Sequence, residues 1–239
     1  MMLCEVRHLR KEYPAFVLED LNFCLKPGEI CGFIGRNGAG KTTAIRSMLN
    51  LIHPTAGEIF YFGLPLRGNE AAIKQRIGYS TGAVNYYPRK KLGEIAAITK
   101  TFFTQWDEKA YREYRSLFRL EEEKSPNALS EGMRVKVNLL LALSHGAEVL
   151  ILDEPTSGLD PFSRDELLEL FCLLRERGIA ILFSTHITSD LEKCADSLLY
   201  LQNGRQFAAC PKSDFIAQFG QQGETLEQTF LRLEREVRS

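Results

Sequence analysis

Gly35-Arg36-Asn37-Gly38-Ala39-Gly40-Lys41-Thr42-Thr43 follows the spacing G-x-x-x-x-G-K-[ST], the P-loop. Each residue type answers a need. Glycines let successive backbone N–H groups turn inward around phosphates, and a helix starting at the lysine adds partial positive charge. Lys41 would reach the β- and γ-phosphates of a nucleotide, and the Thr42 hydroxyl would face Mg²⁺. Far along the chain, Val149-Leu150-Ile151-Leu152-Asp153-Glu154 supplies what that loop lacks. Four apolar residues bury a strand, and Asp153 emerges at its end, where a Mg²⁺ shell needs a carboxylate. Glu154, immediately after, could orient or deprotonate a water attacking a γ-phosphate. The chain has no guanine-reading N-K-x-D sequence, which makes ATP the expected nucleotide.

A third stretch raises a question. In ALSEGMRVKVNLLLAL, from Ala128 to Leu143, Ser130 sits where a helix N-cap belongs and Gly132 lies inside the first turn. A glycine there costs roughly 0.5–1 kcal/mol against alanine. Something is expected to approach its bare backbone.

The elements that must position these residues can be read from patterning. Val17–Leu25 and Glu29–Ile34 are strand-like and joined by a Pro27-Gly28 turn. A helix is predicted from Lys41, with Ala44, Ile45, Met48, Leu49 and Ile52 at 3.6-residue spacing, ending at Pro54. Glu58–Phe62 and Ile77–Ser80 read as further strands. From about Gly82 to His145 the character is helical, with the aromatics Tyr86, Tyr87, Phe102, Phe103 and Trp106. The runs Glu148–Leu152 and Ile179–Ser184, separated by an amphipathic helix over Ser163–Arg177, read as buried parallel strands. The tail, Glu224–Ser239, is a charged helix with Leu226, Phe230 and Leu233 on one face. Together these give an α/β core interrupted by a helical insertion.

Composition sets limits. Across 239 residues, 44% are hydrophobic and 26% charged, which suits a folded core rather than disorder. Thirty Lys and Arg against 31 Asp and Glu argue against a nucleic-acid binder that relies on bulk charge. The six cysteines show no C-x-x-C pair, as in a reduced, cytosolic chain. No signal-peptide pattern opens the sequence, and no apolar run approaches the ~18 residues of a membrane helix.

Taken together, these motifs resemble the ATP-binding subunits of ABC transporters, from about residue 2 to residue 205. The order carries the likeness: the P-loop at 35–43, a helical insertion, Leu129-Ser-Glu-Gly-Met133, Leu150-Ile-Leu-Asp-Glu-Pro155, Ser157-Gly-Leu-Asp160 and Ser184-Thr-His186. The form of the signature is most like the ABC-2-type exporters. The resemblance implies a P-loop NTPase core with a mixed or parallel sheet, an antiparallel N-terminal β-subdomain and a helical subdomain. In one domain of 1–239, 1–81 and 146–205 would form the core and 82–145 the helical part, with 206–239 a short extension. It further implies that two subunits close head-to-tail around ATP. Ser130 and the Gly132 N–H would then meet the γ-phosphate held by the other subunit's P-loop. Tyr13 would stack on adenine, His186 would contact the γ-phosphate, and Asp160 would lie in the loop that crosses between subunits. The expected partners are a membrane permease and a second cassette, identical or not. The expected place is the cytoplasmic face of the membrane, bound through the permease.

Departures from the family pattern matter. The usual signature is L-S-G-G-Q, but Glu131 and Met133 replace a glycine and the glutamine, so Glu131 is expected to face solvent or a basic residue such as Arg134. Near Gly82 the family places a glutamine or glutamate, and this chain has no such side chain. The absent contact is expected to weaken the closed state by roughly 1.5–3 kcal/mol. The insertion's aromatics admit two readings, that subdomain's own core or a groove for a short helix of the permease. The Arg89-Lys90-Lys91 run reads as a solvated face. Two rival functions are a soluble ABC ATPase without a permease and a non-hydrolysing regulatory cassette. A single cassette without a coiled-coil insertion disfavours the first, and intact Glu154 and His186 disfavour the second.

Overall fold

The structure is a computed structural model and describes residues 2–81 and 87–236. Strands β1 (Cys4–Tyr13) and β2 (Phe16–Leu25) form an antiparallel hairpin in which Tyr13 pairs with Phe16. A bulge at His8, whose φ is +50°, shifts the alternation so that Val6 and Leu9 both enter the core. Strand β3 (Ile30–Ile34), buried along its whole length, runs into the P-loop and then into α1 (Lys41–Met48).

This helix is shorter than its apolar spacing suggests. It stops at Met48, not at Pro54, because Asn50 takes a left-handed φ of +51° and the Leu51 N–H turns back to the Arg46 carbonyl at 2.8 Å. Next come β4 (Ala56–Tyr61), β5 (Leu64–Pro65), α2 (Glu70–Lys74) and β6 (Ile77–Ser80). The insertion holds α3 (Leu92–Lys100), α4 (Glu108–Leu117), a 3₁₀ turn at Pro126–Ala128 and α5 (Glu131–Ser144). After it follow β7 (Val149–Asp153), α6 (Pro161–Glu176), β8 (Ala180–Thr185), α7 (Thr188–Cys194), β9 (Ser197–Gln202), β10 (Arg205–Pro211), α8 (Lys212–Phe219) and α9 (Leu226–Glu236).

All described strands join one mixed sheet in the order β5-β4-β1-β2-β10-β9-β3-β8-β7-β6. The strands β9, β3, β8, β7 and β6 pair in parallel, whereas β1, β2, β4 and β5 pair antiparallel at the other end. The central strands are apolar without alternation because both faces are covered. Val149 and Ile151 of β7 face a core with Ile45 and Met48 of α1, while Leu150 and Leu152 face a core with α5 and α6. The expected α/β architecture with an antiparallel β-subdomain and a helical insertion is therefore present. The β9–β10 hairpin was not foreseen, and through it the sheet continues to Pro211, past residue 205.

Inside the insertion, Tyr111 and Phe118 are buried, with Trp106 and Tyr114 packed against them. Phe103 instead stacks on His145 at 3.7 Å, and Phe102 is 69% exposed. Of the aromatics singled out, Trp106 thus belongs to the core, while Tyr86 and Gly82 lie outside the described residues. Lys90 and Lys91 pair with Glu94 and Glu123 on a solvated surface. Among the described residues no helix is long and apolar enough to cross a membrane.

Candidate functional site

The C-terminal ends of β3, β7 and β8 lie side by side, where open α/β sheets bind ligands. The loop after β3 needs its glycines. Gly40 caps α1 with a φ of +110°, and a β-carbon there would lie 2.7 Å from Cζ of Phe16. The resulting cleft has a volume of about 520 Å³, lined by Asn37, Gly38, Gly40, Lys41, Thr42 and Thr43, with Phe16 at one side and Glu154, Ser157 and His186 at another.

The charged groups inside it are paired. The Lys41 ammonium, only 6% exposed, donates to the Gly35 carbonyl at 2.7 Å and lies 3.4 Å from Oε1 of Glu154. The other Glu154 oxygen, Oε2, is 2.9 Å from Nδ1 of His186. Asp153 is buried at the end of β7 and accepts a hydrogen bond from the Ser184 hydroxyl at 2.6 Å. An ammonium held only by carbonyls and one carboxylate, at a helix N-terminus, suits a polyanionic guest.

Helix α5 begins with the N-cap expected at Ser130, whose hydroxyl oxygen accepts the Met133 N–H at 3.3 Å. Gly132 is buried by its own chain. A β-carbon there would sit 3.4 Å from Cβ of Ser163 and 3.8 Å from a Leu159 methyl, both ordinary contacts. The chain's own packing does not require the glycine. Glu131 is exposed, with its carboxylate over Gly158, whereas Arg134 turns away and donates to the Pro126 carbonyl at 3.0 Å. Of the two orientations expected for Glu131, the structure has the solvent-facing one.

Asp160 caps α6, accepting the N–H groups of Phe162 and Ser163 at 3.0 and 3.1 Å. Hydrogen bonding from Ser163 holds its carboxyl below the usual range. The loop before it is anchored by the Thr156 hydroxyl, which donates at 2.7 Å to Asp190, a carboxyl that burial pushes upward.

The structure therefore gathers Lys41, Thr42, Thr43, Glu154 and His186 around one cleft, with Asp153 beside them, and sets Ser130, Gly132 and Asp160 outside its lining. Tyr13 is 41% exposed beneath the Lys11 ammonium and does not line the cleft. The aromatic wall is Phe16, its partner across the hairpin. Phe16, Ser157 and Ser184 were not singled out in the sequence. Only the S-T-H triplet hinted at Ser184, since its contact depends on the register that pairs it with Asp153.

Comparisons with known proteins identify the family. Residues 18–157 match the family described as ABC transporter. The bacitracin transport ATP-binding protein BcrA of Bacillus licheniformis is 37% identical over 197 residues, covering 81% of this chain and 64% of that protein, so the chain spans less than two thirds of that relative. The ABC-type transporter ATP-binding protein EcsA of Bacillus subtilis is 31% identical over 242 residues, covering 99% of this chain and 98% of that protein. A solved structure of the ATP-binding subunit of an ABC transporter superposes with a TM-score of 0.86 at 32% identity, over 97% of this chain and 99% of that one. Likeness of this extent, in sequence and in backbone alike, shows the family: the chain belongs to the ATP-binding subunits of the ABC transporter family.

Proposed function

We propose that the chain binds ATP in the P-loop cleft, hydrolyses it, and drives a separate membrane permease by closing against a second cassette. The observation that carries this reading is the convergence of Lys41, Glu154 and His186 at one cleft, beside Asp153. An incoming triphosphate offers the Lys41 ammonium a stronger partner than the Gly35 carbonyl and draws it from Glu154. Glu154 is then free to take a proton from water as the water oxygen attacks the γ-phosphorus, and ADP leaves with the electron pair of the broken P–O bond. His186, held to Glu154 through Nδ1, keeps its other ring nitrogen for the γ-phosphate. The hard oxygen donors of Thr42 and Asp153 fit Mg²⁺, which when bound would neutralise charge on the phosphate oxygens. Phe16 would supply the face against the base.

The second half of the site comes from another cassette, an identical copy or a related chain. Ser130 and Gly132 start a helix outside the lining of their own cleft, and Phe162, 85% exposed beside Asp160, adds an apolar surface. Gly132→Ala separates this role from a structural one. Its melting temperature should hold or rise, because alanine gains about 0.5–1 kcal/mol in a helix. ATP-driven dimerisation should weaken by about tenfold, because the added methyl crowds the approach of a phosphate to the N–H of residue 132, which alanine retains but would then bond less well. Unchanged dimerisation, read by light scattering, would remove Gly132 from the interface.

The permease would bind at a groove of about 350 Å³ between the end of α1, β6, α3 and α5, where Leu49, Leu51, Tyr79, Phe103 and Leu141 make an apolar floor. A short amphipathic helix at the cytoplasmic face of an export permease fits it. Phosphate release from Mg²⁺-ATP by the purified chain tests the hydrolytic reading. Tight ATP binding without phosphate release would favour a regulatory cassette instead.

A further inference from the structure

We infer that Ser184 is a positioning residue for ATP hydrolysis, one hydroxyl that sets both acidic groups of the cleft; this rests on the hydrolytic reading above. Ser184 is fully buried on β8 and faces Asp153 across the parallel pair β7–β8. Its single hydroxyl hydrogen goes to Oδ1 of Asp153 at 2.6 Å. The oxygen in turn accepts the backbone N–H of Glu154 at 2.9 Å, and the Ser184 carbonyl lies 3.2 Å from the same N–H. Donor and acceptor are both used, and in opposite directions.

The two bonds do different things. The first fixes the rotamer of Asp153 and so aims the carboxylate that would hold Mg²⁺. The second holds Glu154 where its φ is +53°, a left-handed conformation that disfavours any residue with a β-carbon. From that backbone the Glu154 side chain reaches Lys41 and His186 on opposite sides. Without the hydroxyl, the strand-end backbone of Glu154 keeps only the longer bond to the Ser184 carbonyl. Asp153 loses a charge-assisted partner inside the protein. Ser184 never needs to touch nucleotide or water for this.

The test compares the whole chain with its Ser184→Ala and Ser184→Thr variants in three readouts. Turnover of Ser184→Ala should fall roughly 10- to 100-fold, the loss of a hydrogen bond to a charged group, and Ser184→Thr should recover most of it. Affinity for a fluorescent ATP analogue in EDTA should stay within twofold of wild type. The Mg²⁺ concentration that half-saturates the metal-dependent change in that affinity should rise several-fold in Ser184→Ala. A merely structural serine would lower the melting temperature and leave the Mg²⁺ midpoint in place. That result, or turnover within twofold of wild type, would overturn the inference. If wild type itself releases no phosphate, the hydrolytic reading fails, and the Mg²⁺ midpoint still decides whether Ser184 positions Asp153.

Discussion

Glu154→Gln protein is expected to release phosphate about a thousandfold more slowly than wild type, within the range for loss of a general base. It should still bind Mg²⁺-ATP, because glutamine keeps the shape of glutamate and the phosphate loop is untouched. Removing the charge also removes the partner that holds Lys41 at 3.4 Å in the nucleotide-free protein, so ATP affinity should rise rather than fall. With hydrolysis blocked, the sandwich should persist. Light scattering should then show a shift from 27.1 kDa to twice that mass on adding ATP. Adding Ser130→Phe to the same protein should abolish the shift by closing the N-terminus of α5 to a foreign phosphate. If ATP binds and the mass stays that of a monomer, two identical copies do not close the site, and the partner cassette is a different chain.

Lys41→Ala should have the second-largest effect, a loss of ATP affinity of about a hundredfold, since charge-assisted bonds from a buried ammonium to phosphate are among the strong ones. Stability should suffer little. The lysine tail leaves a cleft open to water, and Glu154 retains His186 at 2.9 Å. Titration with a fluorescent ATP analogue measures the affinity, and thermal melting without nucleotide provides the control. ATP affinity within threefold of wild type would mean that the ammonium stays on Gly35 and Glu154 when nucleotide is bound.

The parts of this molecule that were legible in its residues are those fixed by short spacing. The loop at 35–43, the strand leading into Asp153 and Glu154, and the capped start of α5 are each a few consecutive residues, and each took the element expected of it. Other features needed information that no short window contains. The end of α1 turned on the left-handed Asn50 rather than on the apolar pattern, which runs on to Ile52. Tyr13 and Phe16 are both aromatic and pair across one hairpin, and it is Phe16 that lies against Gly40 and lines the cleft. The role of Ser184 depends on a strand register across 31 positions of chain. The hairpin β9–β10 fits between strands far away in sequence, which local periodicity does not reveal.

That hairpin also bears on how the protein is made. In the sheet, β2 and β3 are not neighbours, because β10 and β9 lie between them. Although β2 and β3 leave the ribosome early, one edge of β3 has no partner until Ser197–Gln202 has been synthesised, and β2 joins the parallel half through β10, where Arg205 pairs with Glu19. Gly35 packs against the Leu201 carbonyl, so the phosphate loop lacks its floor over the same interval. A nascent chain shorter than about 211 residues therefore carries an open strand edge and an unfinished nucleotide cradle, the kind of edge that recruits chaperones or wrong partners. Capacity to bind ATP should arrive abruptly once the strand ending at Pro211 has left the ribosome, as a cooperative event.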